Sequence, residues 1–235
     1  MDIHGLQKLT LLDYPGKVAC TVFLQGCNFR CPFCHNSDLL GGSAEAFMTM
    51  EDFLDFLKKR TGLLDAVCVS GGEPTLQKDL PELLKGIKAL GYSVKLDTNG
   101  SRPKVLKALV SDGLVDYVAM DVKNSPACYG ETSGVSRLDI KNIEESLRFL
   151  IEGNVAYELR TTVVAELHNP QSITEMGQWL SSLVPEKKPE KLYLQSFVAR
   201  DSVLKSGLNA PEEAQLKQYA ALLAPYVGFA AVRGL

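Results

Sequence analysis

Residues 26–36 read Gly26-Cys27-Asn28-Phe29-Arg30-Cys31-Pro32-Phe33-Cys34-His35-Asn36, and they determine how the rest of the chain is interpreted. The segment follows an apolar, strand-like run and spaces its three cysteines as C-x3-C-x2-C. Cysteines at this spacing in one loop can converge on an inorganic centre. An iron–sulfur cluster is favoured over zinc, because a fourth zinc ligand from His35 would directly abut Cys34 and no second C-x2-C pair occurs. Zinc binding and accidental clustering remain the alternatives.

Composition restricts the classes of function. The 235-residue chain has a net charge of −3. This charge argues against nucleic-acid binding, because a protein that binds nucleic acid needs a basic surface to neutralise the phosphates. The first residues lack the basic segment followed by an apolar run that is typical of a signal peptide. No apolar run approaches the ~20 residues of a membrane-spanning helix. These patterns predict a cytoplasmic protein without a nucleic-acid or membrane partner. In that reducing compartment the cysteine pattern indicates metal or redox chemistry rather than disulfides.

Strand-like runs alternate with amphipathic helical patterns along the whole chain. The predicted strands are Lys17–Leu24, Ala66–Ser70, Ser93–Asp97, Tyr117–Asp121, Ala156–Val164, Lys191–Phe197 and Gly228–Val232. Repeated strand–helix units predict parallel strands joined by right-handed crossovers. About six units are fewer than the eight of a closed barrel. We therefore expect a single α/β domain over residues 1–235, a partial (open) (β/α)6 TIM-like barrel, with a doubly wound sheet as the alternative.

The motifs that can carry chemistry follow successive predicted strands. Because functional groups of parallel α/β folds collect after the carboxyl ends of strands, these motifs are expected at one site. The motif residues beyond the cysteines are Gly71, Gly72, Glu73, Asp97, Thr98, Asp121, Lys123, Arg160 and Thr162. Simpler interpretations remain open. Gly71 and Gly72 could form an ordinary glycine turn, Asp121 and Lys123 a surface ion pair, and Arg160 could be held by a structural carboxylate. Cys20 and Cys68 lie in apolar strands and are expected to be packed in the core.

The combination of motifs resembles the radical S-adenosylmethionine (SAM) superfamily. The C-x3-C-x2-C spacing with Phe33 before the third cysteine, followed by Gly-Gly-Glu-Pro after the next strand, carries this resemblance. Cys34-His35-Asn36, Asp97-Thr98-Asn99-Gly100 and Asp121-Val122-Lys123 are similar to the superfamily's glycyl-radical-enzyme activases. The opening segment, Leu6–Lys17, is similar to activating proteins of anaerobic ribonucleoside-triphosphate reductase. The resemblance extends from about Gly5 into the sixth strand. Only 36 residues separate Cys34 from Gly71, and they include a single further cysteine, Cys68, so no second cluster is predicted.

The resemblance implies both cofactors and the residues that hold them. Cys27, Cys31 and Cys34 would bind three irons of a [4Fe–4S] cluster, and SAM would chelate the fourth iron. The remaining roles are implied as follows: Gly71, Gly72 and Glu73 at the methionyl portion, Asp97 and Thr98 near its ammonium, Phe33 and His35 beside the adenine, Lys123 at the carboxylate, Asp121 at an adjoining ion or polar group, and Arg160 and Thr162 on the ribose side.

The implied activity is generation of a glycyl radical on a larger partner enzyme. Reductive cleavage of SAM would yield a 5′-deoxyadenosyl radical that removes hydrogen from a glycine of that partner. The expected partner is an anaerobic ribonucleoside-triphosphate reductase, and the expected electron donor is a flavodoxin or ferredoxin. The alternatives are activation of a pyruvate formate-lyase type enzyme, modification of a small molecule or peptide, and a non-catalytic zinc module.

Overall fold

The computed structural model describes residues 1–41 and 45–234, in which strands and helices alternate. The elements are β1 (Asp2–Ile3), β2 (Gly5–Thr10), β3 (Ala19–Leu24), β4 (Met48–Thr49), α1 (Met50–Lys58), β5 (Ala66–Gly71), α2 (Leu80–Ala89), β6 (Ser93–Thr98), α3 (Pro103–Ser111), β7 (Tyr117–Asp121), α4 (Pro126–Ser133), α5 (Ile140–Ile151), β8 (Ala156–Val163), α6 (Pro170–Ser182), β9 (Lys191–Ser196), α7 (Glu213–Leu223) and β10 (Phe229–Arg233). Two compact units are present. The first comprises Met1–Asn28, Asn36–Thr98 and Lys104–Ala119, and the second comprises Phe29–His35, Asn99–Pro103 and Met120–Leu235.

The first unit contains a sheet in the order β2-β3-β5-β6. Strands β3, β5 and β6 are parallel, as the alternation of strands and helices predicts. Strand β2 pairs antiparallel with β3 and was not among the predicted strands. The parallel strands are almost entirely buried, which explains why they read as continuous apolar runs.

Helices of the first unit begin where local sequence supplies a cap. Thr49 precedes α1, and its hydroxyl accepts from the amide of Asp52 while the Asp52 carboxylate accepts from the amide of Thr49. The apolar face of α1 buries Phe53 and Leu57. Helix α2 has a proline in its first turn, where the missing amide hydrogen costs no helical hydrogen bond. These signals locate the helices that cover the sheet.

The second unit contains the parallel strands β8, β9 and β10 in that order. Helix α6 is fixed at its start by a capping box in which Asn169 and Ser172 exchange hydrogen bonds. The polar composition of residues 124–134 predicts a loop around Cys128, but these residues contain helix α4, on which Cys128 is half-buried. That expectation was wrong because α4 buries Tyr129, Thr132 and Ser133, a mostly polar face without apolar periodicity.

None of the helices within residues 1–41 and 45–234 is both long and apolar enough to cross a membrane.

Candidate functional site

Gly72 brings the loop after β5 into close backbone contact with the loop after β3. Its amide donates to the carbonyl of Leu24 over 2.9 Å, and the amide of Glu73 donates to the carbonyl of Gly26 over 2.8 Å. A Cβ atom on Gly72 would lie 2.1 Å from the Gly26 oxygen, so a larger residue requires backbone movement. The glycine therefore fixes the residue that immediately precedes Cys27.

Glu73 is a fully buried carboxylate held by two threonines. Its Oε1 atom accepts from the Thr75 hydroxyl at 2.5 Å, from the Thr75 amide at 3.1 Å and from the Thr98 hydroxyl at 2.7 Å. Two residues of the predicted site, Glu73 and Thr98, are thus brought into direct contact. Thr75 was not identified from the sequence, although it stands only two residues after Glu73.

Asp97 lies at the carboxyl end of β6 with 16% of its side chain exposed. Its Oδ1 atom accepts from the Lys95 ammonium at 2.5 Å, and its Oδ2 atom accepts from the Ser70 hydroxyl at 3.1 Å. Neither Lys95 nor Ser70 was predicted as a site residue. Strand alternation could have indicated Lys95, because residues two apart on a strand point to the same face.

In the second unit a tight turn carries Cys31 and Cys34. The amide of Cys34 donates to the carbonyl of Cys31 over 3.0 Å, and Cys31 and Phe33 are buried. The Lys123 ammonium lies 5.9 Å from the centroid of the Phe33 ring, within the range of a cation–π interaction. The turn therefore presents sulfur ligands near a positive charge.

Asp121, Lys123 and Arg160 form one ion-pair network. The Lys123 ammonium lies 2.9 Å from Asp121 Oδ2, and the guanidinium of Arg160 lies 3.2 Å from Oδ1. Burial acts to raise the pKa of Asp121, but Lys123 and Arg160 together lower it to about 2. Burial acts to lower the pKa of Lys123, whereas Asp121 and then Cys31 raise it above its usual range. Both cations are therefore charged at neutral pH, and Asp121 is a carboxylate partner that Arg160 finds within the protein.

His35 is held by residues that follow β9. Its Nε2 lies 2.8 Å from the carbonyl oxygen of Val198, which can only accept, so we infer that Nε2 carries the hydrogen. The ring stacks on Phe197 with centroids 5.6 Å apart and planes inclined by 29°. Burial lowers the pKa of His35, the hydrogen bond to Val198 raises it and Arg200 lowers it, with a net decrease. The neutral ring then keeps Nδ1 as its acceptor, and a metal could bind only there.

For the remaining predicted residues the structure gives burial and strand position. Thr162 is half-buried on β8, opposite Gln195 of β9, and Cys27 is half-buried in the first unit. Cys20 and Cys68 are fully buried in β3 and β5, as expected from the sequence. Burial raises the pKa of each of these two thiols to about 12, although Lys95 opposes the effect at Cys68. They are core residues rather than exposed ligands.

The residue types present fit an iron–sulfur cluster and SAM. Within residues 1–41 and 45–234 no group of three or more His, Cys, Asp or Glu side chains is placed to hold a single metal ion. Three cysteines of a four-iron cluster bind three different irons, so one shared ion is not the arrangement required. SAM carries an ammonium and a carboxylate. The carboxylate of Asp97 suits the former, and the cations of Lys123 and Arg160 suit the latter.

Comparison with known proteins gives the family. The family model described as "Radical SAM superfamily" matches residues 21–164, which include every predicted site residue. A protein of Methanocaldococcus jannaschii named as a glycyl-radical enzyme activating enzyme is 31% identical over 98% of this chain and 95% of its own length. The pyruvate formate-lyase-activating enzyme of Listeria monocytogenes is 27% identical, covering 81% of this chain and 80% of its own.

Solved structures support the fold at low sequence identity. SuiB of Streptococcus suis superposes on 91% of this chain with a TM-score of 0.68 and 16% identity, and the chain spans 48% of that protein. The structure described as native anSMEcpe with bound AdoMet and Kp18Cys peptide matches 91% of the chain and 63% of its own, with a TM-score of 0.64 and 14% identity. The predicted α/β fold with a parallel-sheet core, a partial (β/α)6 barrel, is thereby confirmed.

Proposed function

Because this chain belongs to the radical SAM superfamily, we propose that it is an activase that uses a [4Fe–4S] cluster and SAM to place a glycyl radical on a partner enzyme. The observation that carries the proposal is the match, along nearly the whole chain, to a relative named as an activating enzyme of this kind. The cysteine segment and the charged groups of both units are the residue types that this chemistry requires.

Cys27, Cys31 and Cys34 are proposed to hold the cluster. A cluster held by three thiolates keeps one iron without a protein ligand, and that position is available to SAM. The ammonium of Lys123 lies 5.9 Å from the centroid of the Phe33 ring, which belongs to the turn that carries Cys31 and Cys34. A nearby cation stabilises thiolates and so favours cluster binding.

The remaining predicted residues are proposed to orient SAM. Asp97 and Thr98 would bind its ammonium, Lys123 its carboxylate, and Phe33 and His35 would flank the adenine. Gly71, Gly72 and Glu73 would shape the methionyl site, Arg160 and Thr162 would lie on the ribose side, and Asp121 would hold Lys123 and Arg160 in place. When bound, the cluster and SAM together supply reductive cleavage of the S–C5′ bond and the radical that takes hydrogen from the partner's glycine.

An anaerobic ribonucleoside-triphosphate reductase is the partner we propose, on the similarity of Leu6–Lys17 to that group of activating proteins. A flavodoxin or ferredoxin is the proposed electron donor, and the cytoplasm the proposed compartment, since thiols remain reduced there. Residues 1–235 are proposed to act as one functional domain. A pyruvate formate-lyase type partner is the second candidate, because the Listeria relative named for that activity matches most of the chain.

Anaerobic EPR spectroscopy tests the proposal. The reconstituted, reduced protein is mixed with SAM and either candidate partner, and 5′-deoxyadenosine is assayed in the same samples. A glycyl doublet on the reductase supports the first partner, and a doublet only on the lyase supports the second. Deoxyadenosine without a doublet on either protein would contradict the activase reaction while keeping SAM cleavage. Absence of both, in protein that carries four irons per chain, would overturn the catalytic proposal.

Two cysteine substitutions provide the matched comparison. Cys31→Ser removes one proposed cluster ligand and should abolish both deoxyadenosine and the doublet. Cys128→Ser makes the same chemical change on α4, outside the cysteine segment, and should leave both products at the level of the unmodified protein.

A further inference from the structure

A row of polar side chains crosses the sheet of the first unit. The parallel register places Thr21 of β3 beside Cys68 of β5, and Cys68 beside Lys95 of β6. All three are almost completely buried, with Lys95 at 1% exposure. A lysine in such surroundings loses most of its hydration, so its ammonium must be compensated by specific partners.

The compensating partner of Lys95 is Asp97, two residues further along β6. The ammonium is 2.5 Å from Oδ1, and Ser70 holds the other oxygen over 3.1 Å. Both oxygens of Asp97 are thereby fixed, and the plane of the carboxylate with them. A carboxylate has about four acceptor positions, so it can bind a further ammonium while it is held in this way.

Stability alone gives little reason for this buried pair. Replacing a buried ion pair by apolar residues of similar volume is often neutral or stabilising, because both charges must be desolvated. The pair also differs from an ordinary core contact in its position. Asp97 ends β6 with 16% of its side chain exposed, whereas Lys95 lies beneath it, inside the sheet.

We propose that Lys95 is a positioning residue for SAM: it holds the Asp97 carboxylate in the orientation that binds the SAM ammonium. This inference rests on the proposed function, in which Asp97 contacts that ammonium. Lys95 itself does not touch SAM. Replacing Lys95 should therefore change the affinity for SAM, and it should do so only when Asp97 is present.

A double-mutant cycle tests the inference on the cluster-loaded protein: the SAM dissociation constant is measured by anaerobic calorimetry for the unmodified protein, two single variants and the double variant. Lys95→Met should raise that constant about tenfold. A change of this size corresponds to the free energy of one charge-assisted hydrogen bond, which is lost when Asp97 is no longer held in the binding orientation. Asp97→Asn should raise it at least as much. In the Asp97→Asn background, Lys95→Met should have no further effect. The rate of deoxyadenosine formation at saturating SAM should stay near that of the unmodified protein in Lys95→Met.

Controls separate positioning from general disruption. Cys68→Ala alters the same buried row without touching Asp97 and should leave SAM affinity unchanged. If Lys95→Met does not fold, Ser70→Ala loosens the other carboxylate oxygen and should weaken SAM binding about threefold, again only while Asp97 is present.

An unchanged or tighter SAM dissociation constant in Lys95→Met would overturn the inference, and so would additive losses in the double variant. Neither result would affect the proposed function. If the cluster-loaded unmodified protein fails to bind SAM, the proposed function fails and the role of Lys95 falls with it.

Discussion

Replacing Gly72 by alanine tests how closely the loop after β5 supports the cysteine segment. The added Cβ would lie 2.1 Å from the Gly26 oxygen and 2.6 Å from its carbonyl carbon. Side-chain carbons do not approach backbone oxygens closer than about 3 Å, so one loop must move by about 1 Å. The displaced residue, Gly26, directly precedes Cys27.

The structure sets the size of the effect. Forcing one methyl group into a closely packed position costs about 1–3 kcal/mol. The movement also weakens the 2.8 Å hydrogen bond from the Glu73 amide to Gly26, which contributes about 1 kcal/mol. We expect Gly72→Ala to lower the free energy of unfolding by about 2–4 kcal/mol. We also expect it to reduce the iron bound per chain after reconstitution.

Urea unfolding of the metal-free protein measures the stability change, and iron and sulfide analysis after anaerobic reconstitution measures cluster binding. Gly86→Ala is the matched control, because its Cβ would meet the flexible end of Leu54 at 2.9 Å, and alanine favours the helix. This control should have unchanged or slightly higher stability and normal iron content. If Gly72→Ala matches the control in both measurements, the backbone contact does not support the cysteine segment and our reasoning is wrong.

Two further predictions concern the ion pairs of the second unit. The pKa of Asp121 is lowered to about 2 by Lys123 and Arg160, so its stabilising contribution is complete above the unfolded-state pKa and is lost as pH falls towards 2. Urea unfolding should therefore show the unmodified protein more stable than Asp121→Asn at pH 6, with the difference disappearing between about pH 4 and pH 2; a constant difference would contradict the ion-pair explanation. Arg233 donates to both oxygens of the buried Glu158 over 2.7 Å, so Arg233→Met should cost about 2–4 kcal/mol in the same assay, and Arg233→Met combined with Glu158→Gln should recover part of the loss; additive losses would show that the two side chains act independently.

The parallel strands could be predicted from sequence because most residues of the central strands, such as β3 and β5, are buried. Tyr117–Asp121 has the predicted bounds, and the predicted strand that begins at Ala156 ends one residue earlier than expected. Strand β3 begins at Ala19 rather than Lys17, because the amide of Val18 donates to the side chain of Asp65. Continuous apolar runs of this kind arise when both faces of a parallel sheet are buried.

The elements that escaped prediction lack a periodic apolar pattern. Strand β2, Gly5–Thr10, exposes three consecutive residues and so shows no alternation between buried and exposed positions. Helix α4 buries the polar side chains of Thr132 and Ser133 together with Tyr129, and its apolar residues do not line one face. In both cases tertiary contacts supply what the local pattern does not.

The candidate site also contains residues that could be predicted from the sequence and residues that could not. The motif residues follow successive strands, and the sequence alone places Asp121 and Lys123 on one side of the chain, where the structure shows them paired. The residues that hold the motifs were not identified. Lys95, Ser70 and Thr75 resemble ordinary strand or loop residues in sequence, and only the folded chain shows which oxygen each of them meets.

The two buried strand cysteines have a consequence for how accurately a cluster can be assembled. A thiol with a pKa of about 12 is ionised in only about one molecule in 10⁵ at pH 7, and the thiolate is the form that captures iron or reacts with an alkylating reagent. Cys20 and Cys68 therefore compete poorly for incoming iron. The same property makes alkylation kinetics of the metal-free protein a means of counting its accessible cysteines, since these two should react orders of magnitude more slowly than the rest.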